Sequence, residues 1–209
     1  MTAINVCVAP DGVHLFTDAG HMEIGKNSVE AIANKVALVP EYGAAIAANG
    51  FAFVEKVITA TLAQTTFADF DALAAGFTGL IRKAIAHGTK YGVPAQWRDT
   101  EIVLAGWSPS KDEPVAMVFV SVDGFEGREV TRFIRPAVGN LSIDPGNIAQ
   151  SGLELMRAQR AATFMVYDGK VIGFTKCTVR RRVVHGFCQH TVVRRGHIET
   201  RVLERWPDA

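Results

Sequence analysis

Apolar residues alternate with polar and small residues at the beginning of the chain, with the period of two that is typical of β-strands. The runs at residues 3–9 and 13–19 flank a Pro-Asp-Gly turn sequence at 10–12, so this segment is predicted to form a β-hairpin. Two shorter apolar runs, at residues 35–39 and 44–48, flank a second turn sequence. Four strands are therefore predicted before the first helix.

Two helices are predicted after these strands, at residues 51–64 and 67–87, because apolar residues recur there at intervals of three and four positions. The second segment has Asp69 and Asp71 near its start and His87 near its end, a polarity that suits the dipole of a helix. A pair of amphipathic helices thus separates the first strands from the rest of the chain.

The second half of the chain contains one further predicted helix among several strands. Residues 147–162 have helical spacing and follow a turn sequence at 144–146. Apolar runs bounded by turn residues predict strands on both sides of this helix, at residues 101–107, 115–122, 128–134, 175–180, 183–193 and 197–206.

Strands at both ends of the chain, with helices between them, favour antiparallel sheets covered by helices over a β-α-β alternation. The predicted fold class is α+β, and a four-layer αββα sandwich of antiparallel sheets covers every apolar face. A two-layer α+β domain remains an alternative, because periodicity does not separate the two arrangements. A length of 209 residues suits one core, so residues 1–209 are interpreted as a single domain.

The composition is that of an ordinary globular protein, with 48% hydrophobic and 21% charged residues. No apolar stretch approaches the ~20 residues of a membrane span, and no basic and apolar leader precedes the first strand. No membrane partner is therefore expected, and a cytoplasmic location is predicted. Cys7, Cys177 and Cys188 have no metal-ligand spacing and are interpreted as small apolar residues.

The net charge of +1 argues against binding to nucleic acid through a general positive potential. Arginines are concentrated between residues 176 and 205, but few aromatic residues lie among them. A nucleic-acid-binding face in this segment is a third-ranked hypothesis, and it predicts an affinity that falls steeply with salt.

Removal of Met1 would make Thr2 the first residue, and Thr2 would then carry both a hydroxyl nucleophile and a free α-amine. An α-amine titrates near pH ~8, so at neutral pH a part of it can take the proton of the hydroxyl, directly or through a water. Threonine at the second position is small enough to permit removal of Met1. Thr2 is therefore a candidate nucleophile that needs no separate base.

Several short patterns follow in a characteristic order after Thr-x-Ile-x-Val, at residues 11–18, 34–36, 44–50, 104–107 and 114–124, with the two helices between the third and the fourth. This order resembles the proteasome β-subunit and HslV type of N-terminal nucleophile (Ntn) hydrolase over residues 2–124, and more loosely over residues 183–206. The resemblance implies the four-layer fold, hydrolysis of amide bonds and assembly into rings.

The resemblance also implies a catalytic set of Thr2, Asp18 and Lys35. Lys35 would favour the ionised hydroxyl of Thr2 and lower the pKa of its amine, and Asp18 would pair with Lys35 and fix its direction. The predicted turn at 10–12 folds the end of the second strand back beside residues 2–5, which agrees with this placement.

A backbone N–H that binds the oxyanion of the reaction is implied at Asn49 or Gly50, because the family places a glycine at this point. The positions expected to line the substrate pocket beside Thr2 are Gly20, His21 and Ala47.

The chain departs from the family pattern after residue 137, where there is room for one long helix instead of two. Ser142 is the nearest candidate for the family's supporting serine before that helix. These departures concern residues that would orient Thr2, so absent activity is one expected outcome.

No cofactor and no metal are predicted. The histidines show no H-E-x-x-H spacing, the glycines form no phosphate loop, and no G-x-S-x-G pattern indicates a conventional serine triad.

The leading hypothesis is a proteasome-like N-terminal threonine hydrolase that cleaves peptide or small amide substrates through an acyl-enzyme on Thr2. The expected partners are such a substrate and further copies of the chain, in a homo-oligomer of ring-forming type. The alternative is a catalytically inactive subunit of the same fold, with a structural or assembly role, which keeps Met1 or lacks the oxyanion site.

Overall fold

Two five-stranded antiparallel sheets form the centre of the protein. The computed structural model describes residues 2–22, 28–50, 54–90, 92, 97, 99–172 and 175–208, and for residues 167–172 and 175–177 the backbone alone. The strands are Ile4–Ala9 (β1), Gly12–Thr17 (β2), Gly20–Met22 (β3), Val29–Ile32 (β4), Val36–Val39 (β5), Ala44–Asn49 (β6), Glu101–Ser108 (β7), Glu113–Val120 (β8), Gly127–Glu129 (β9), Arg132–Arg135 (β10), Phe164–Ile172 (β11), Thr175–Arg181 (β12), Phe187–Arg194 (β13) and His197–Arg205 (β14). The helices are Val54–Leu62 (α1), Phe70–Thr89 (α2) and Ile148–Ala161 (α3).

The two sheets contain different parts of the chain. Sheet 1 has the order β10-β1-β2-β13-β14, and sheet 2 has the order β5-β6-β7-β8-β9. Among the described residues, β3–β4 and β11–β12 each form a separate two-stranded antiparallel sheet. Sheet 1 therefore brings both ends of the chain together, whereas sheet 2 is built from its middle.

The layers are held together by three apolar clusters. The faces of the two sheets meet around a cluster that includes Ile4, Leu15, Ala47 and Val103. Helices α1 and α2 cover the outer face of sheet 2, and α3 covers the outer face of sheet 1. The predicted four-layer αββα sandwich is thus confirmed. In the part of the chain that the structure describes, no helix combines the length and the apolar character needed to cross a membrane.

The hairpin β1–β2 brings the chain start to a defined place. Its register pairs Ile4 with Thr17, so the residues that precede β1 lie beside the residues that follow β2. Strand β13 pairs with the other side of β2, and the backbone carbonyl of His185, just before β13, accepts hydrogen bonds from the N–H groups of Ala19 and Gly20, both at 3.0 Å. Three distant segments therefore meet at the end of β2.

Four features of the fold differ from the sequence prediction. The expected strand at 128–134 is two strands, because Val130 N–H donates to Ala116 in sheet 2 while Thr131 accepts from Val8 in sheet 1. The last-but-one strand begins at Phe187 and not at residue 183, after Gly186 with φ of 83°. The hairpin β3–β4 and the strand β11 had not been predicted. Helix α1 is described from Val54 onward, so the predicted start at residues 51–53 lies outside the described residues.

Helix α3 packs closely on sheet 1 at Gly152, where a Cβ would overlap the ring of Phe16. Phe16 is completely buried and cannot move aside easily. Gly79, on the exposed side of α2, has open space around the position of a Cβ. The two helical glycines therefore have opposite surroundings.

We expect Gly152→Ala to lower the free energy of unfolding by about 1–3 kcal/mol through overpacking. Gly79→Ala should raise it by up to about 1 kcal/mol, because alanine has the higher helix propensity. Urea denaturation of both variants measures the two effects. Equal behaviour of the two variants would contradict the packing of α3 on Phe16.

A pair of histidines is buried beside Phe16 in the same layer. His190 stacks on Phe16 with a ring-centroid distance of 4.3 Å, and its Nε2 lies 3.1 Å from Nδ1 of His14. Burial, followed by the nearby His14 and Arg201, lowers the pKa of His190 from 6.5 to about 3. The folded protein therefore holds this ring neutral under conditions in which an unfolded chain would protonate it.

His190 is expected to make stability depend on pH. Because its pKa is lower in the folded state, the stability it contributes is complete above about pH 6.5 and is lost as the pH falls toward about 3. At about pH 5 the loss amounts to about 2 kcal/mol. His190→Gln should flatten the dependence of the unfolding free energy on pH in this range. The matched variant His197→Gln, at an exposed position of β14, should keep the slope of the parent, and a parent slope in His190→Gln would contradict this assignment.

Candidate functional site

Thr2 lies two residues before β1 at the wall of a cavity of about 380 Å³. Its side chain is mostly buried, and its backbone nitrogen donates a hydrogen bond of 2.8 Å to Oδ1 of Asn49 at the end of β6. The cavity is lined by Thr2, Asn49, Asp99, Glu101, Val120, Ser121, Val122, Arg135, Pro136, Phe164 and Met165. Thr2 thus faces a space that a small substrate could enter.

The carboxylate of Asp18 accepts hydrogen bonds from the residue after Thr2 and from the groups around it. Its Oδ1 accepts hydrogen bonds from the backbone N–H of Ala3 and from Nζ of Lys35, both at 3.0 Å. Its Oδ2 accepts from the backbone N–H groups of His185 at 3.1 Å and Gly20 at 3.2 Å. Four donors from four parts of the chain therefore surround a carboxylate whose side chain is inaccessible to solvent.

Lys35 is buried, with only 3% of its surface exposed, and its ammonium is directed toward the chain start. Nζ donates to Asp18 Oδ1 and to the carbonyl oxygen of Gly20. The side chain of Asn34 accepts from the N–H of Val36 at 2.7 Å, which shapes the turn from which Lys35 enters the site. Because Lys35 and Ala3 share one carboxylate oxygen, the ammonium lies next to the residue that follows Thr2.

A second polar group, the side-chain amide of Asn49, reaches Thr2 from the end of β6. The amide nitrogen of Asn49 donates to Oε2 of Glu101 at 3.1 Å, and Nε of Arg135 donates to Oε1 of the same carboxylate at 2.5 Å. Glu101 is buried, whereas about half of the Arg135 side chain is exposed. Thr2 is thus connected through Asn49 and Glu101 to a cation at the cavity wall.

The structure places the other predicted site residues as follows. Gly50 adopts φ of 135°, and a Cβ there would lie 2.5 Å from Oγ1 of Thr100. Gly20 binds Lys35 and Asp18 through its backbone, and a Cβ there would overlap His185. His21 is partly exposed, and burial, followed by the nearby ammonium of Lys35, lowers the pKa of its ring.

Two predicted residues lie away from the contacts of Thr2. Ala47 is completely buried in the cluster between the two sheets. Ser142 lies in the connection before α3, and its buried hydroxyl has no hydrogen-bond partner among the described residues. Neither side chain belongs to the polar network described above.

Sequence reasoning did not identify Glu101, Arg135 or His185, although all three contact the candidate site. His185 binds Asp18 through its backbone N–H, and its ring lies 2.6 Å from the carboxylate of Asp208. Although burial acts to raise it, hydrogen bonds from Arg160 and His185 lower the pKa of Asp208 to about 2. No local motif marks these residues, because they reach the site through pairing between distant strands.

No group of three or more potential metal ligands occurs in the described part of the chain. The free thiols of Cys7 and Cys188 are buried, and burial raises the pKa of Cys188 to about 12. Neither thiol lines the cavity, whereas two hydroxyl residues, Thr2 and Ser121, do. Of these two, Thr2 would carry its own base, because its α-amine becomes free once Met1 is removed.

Comparison with known proteins yields a similarity of structure alone. No protein-family model matches the chain, and no curated protein matches it. Among solved structures, the Gly-1 mutant of Anbu from Hyphomicrobium sp. strain MC1 is 11% identical in sequence, with a TM-score of 0.66. The similarity covers 98% of this chain and 87% of the Anbu chain. It establishes the proteasome-like Ntn fold for this protein.

The sequence-based assignment to the proteasome β-subunit and HslV family is wrong. The absence of any family match and the structural similarity to Anbu, at 11% identity, correct it. The short patterns that suggested the family follow the order of strands and helices, which the shared fold explains. The chemistry of the site is therefore argued below from the contacts of this chain.

Removal of the Lys35 charge is expected to be costly for stability. Lys35→Met leaves the buried Asp18 carboxylate without its cation, and breaking such a pair costs about 3–5 kcal/mol. Lys111→Met serves as the control, because Lys111 pairs with Glu129 at 2.7 Å on the surface, where a pair contributes at most about 1 kcal/mol. Urea denaturation distinguishes the two, and equal losses would contradict a charged, buried Asp18–Lys35 pair.

Proposed function

We propose that this protein is an N-terminal threonine hydrolase that cleaves peptide or other amide bonds after removal of Met1. The observation that carries the proposal is the place of Thr2: it lines the cavity, its nitrogen has a side-chain acceptor, and the Asp18–Lys35 pair binds the adjacent residue. The proteasome-like Ntn fold, established independently, supports it. One domain carries the whole proposed site.

The first chemical step is attack of the Thr2 hydroxyl oxygen on the carbonyl carbon of the substrate amide. The neutral α-amine of Thr2 takes the hydroxyl proton as the new C–O bond forms. When the C–N bond of the substrate breaks, the resulting ammonium returns that proton to the leaving nitrogen. The products of this step are an ester on Thr2 and the free amine of the substrate.

The second step is hydrolysis of the ester by water. The α-amine, neutral again, takes a proton from the attacking water, and the C–O bond to Thr2 breaks with return of that proton to the threonine oxygen. The carboxylic acid product leaves, and the enzyme is restored. No group besides the first residue has to move a proton in either step.

Lys35 favours this chemistry through its charge. A positive charge beside Thr2 disfavours a second positive charge on the amine and stabilises negative charge that develops on the hydroxyl oxygen. Asp18, saturated by four donors, holds the ammonium in place. The oxyanion site at the backbone of Asn49 or Gly50, the homo-oligomer and the cytoplasmic location stay predictions.

The cavity has a mixed lining. Phe164 and Met165 of β11 contribute apolar wall, whereas the polar part of the wall includes both neutral and charged residues: Asn49, Ser121, Asp99, Glu101 and Arg135. A peptide or small amide fits such a lining.

The test begins with the intact mass of the purified protein, which should lack Met1. Treatment with a peptide epoxyketone, an electrophile that reacts with both the hydroxyl and the amine of an N-terminal threonine, should then label residue 2. Labelling should persist in Thr2→Ser, disappear in Thr2→Ala and fall by about 100-fold or more in Lys35→Ala. Lys111→Ala, at the surface, should react like the parent.

Retention of Met1, or labelling that does not depend on Thr2, would contradict the proposed hydrolase. A folded protein with that result would support the alternative of an inactive subunit with a structural or assembly role.

A further inference from the structure

The side chain of Asn49 has one arrangement that satisfies all of its contacts. Its carbonyl oxygen accepts from the nitrogen of Thr2 at 2.8 Å, while its NH₂ group donates to Glu101 at 3.1 Å. A carboxylate accepts only, so Glu101 requires the NH₂ group on its side of the amide. The carbonyl oxygen must then face Thr2.

Each member of this chain of contacts comes from a different strand. Asn49 and Glu101 are directly opposite in the pairing of β6 with β7, and Arg135 is opposite Ile4 in the pairing of β10 with β1. Arg135 therefore reaches across from sheet 1 to a carboxylate of sheet 2, beside the chain start. The regular registers of both sheets fix the distances between these side chains.

We propose that Asn49 is a positioning residue for the α-amine of Thr2, and that Glu101 and Arg135 hold its amide in the orientation that accepts from this amine. The inference rests on the proposed function and adds the group that orients the base. A neutral amine that donates one N–H to Asn49 keeps its lone pair free. The lone pair can then accept the proton of the Thr2 hydroxyl.

The charges around Thr2 explain why an amide suits this place. Asp18 reaches the chain start from the end of β2, and Lys35 from the turn before β5. Three further charged residues line the cavity with Thr2: Glu101 of β7, Asp99 of the segment before it and Arg135 of β10. The Asp18–Lys35 and Glu101–Arg135 pairs each balance their own charge. An amide oxygen binds the amine but adds no negative charge. A negative charge at this place would favour the protonated form of the amine.

The experiment measures the pKa of the Thr2 amine in full-length chains that begin at Thr2. The probe is acetic anhydride, whose reaction with the N-terminal amine is followed by mass spectrometry over a range of pH. Asn49→Asp puts a carboxylate in contact with the amine and beside Glu101. At a pH where both carboxylates are ionised, the added negative charge should raise the pKa of the amine by about one unit or more. Asn140→Asp, at an exposed loop position, makes the same change of charge and should leave the pKa unchanged.

Arg135→Gln provides a second variant, at a side chain that is about half exposed. It leaves the charge of Glu101 unbalanced and should raise the pKa of the amine by less than Asn49→Asp does. The rate of epoxyketone labelling of Thr2 should rise with pH as the amine loses its proton. The pH at which this rate rises should be higher in Arg135→Gln than in the parent, and higher still in Asn49→Asp. At high pH, Arg135→Gln should reach the rate of the parent.

The outcomes separate the two proposals. An amine pKa unchanged in both variants, with Thr2 still labelled by the epoxyketone, would overturn the role of Asn49 and leave the hydrolase standing. A raised pKa in Asn49→Asp, together with no Thr2-dependent labelling of the parent, would overturn the hydrolase but keep the contact of Asn49 with the amine.

Discussion

The buried carboxylate of Asp18 is the constraint on which the rest of the site depends. It joins the residue after Thr2, the start of β3, the segment before β13 and the side chain of Lys35 through four hydrogen bonds. A charged group in the interior is stable only when donors replace water. The same contacts that make Asp18 tolerable therefore place an ammonium beside the start of the chain.

Thr2 lies between two ion pairs of different character. The Asp18–Lys35 pair is buried, binds the backbone of Ala3 and belongs to sheet 1 and the turn before β5. The Glu101–Arg135 pair spans the two sheets and is linked to Thr2 by hydrogen bonds through the neutral amide of Asn49. In the proposed mechanism the first pair sets the electrostatic potential at the Thr2 hydroxyl, and the second sets the direction of the Thr2 nitrogen.

Local patterns were enough to predict the hairpins β1–β2 and β5–β6, the three helices and the layered fold, because alternation and helical spacing reflect which face is buried. The chain start pointed to Thr2, and the resemblance implied Asp18 and Lys35. Hydrogen bonds join Asp18 to Lys35 and to the residue after Thr2. The local patterns missed the split at residues 128–134, the strand β11 and the Glu101–Arg135 pair. The split and the ion pair arise from pairing between strands far apart in sequence, which leaves no local signal. The family assignment failed because the short patterns behind it follow the order of strands and helices. That order is explained by the shared fold and does not identify a family.

The central claim is that a chain starting at Thr2 keeps its amine, its hydroxyl and the Lys35 ammonium in one cavity. A crystal structure of that shortened chain tests this most directly. The account predicts the amine nitrogen within hydrogen-bond distance of Asn49 Oδ1, with Lys35 Nζ still bound to Asp18 and facing the Thr2 hydroxyl. A first residue displaced from Asn49, or a Lys35 side chain turned away toward solvent, would contradict it.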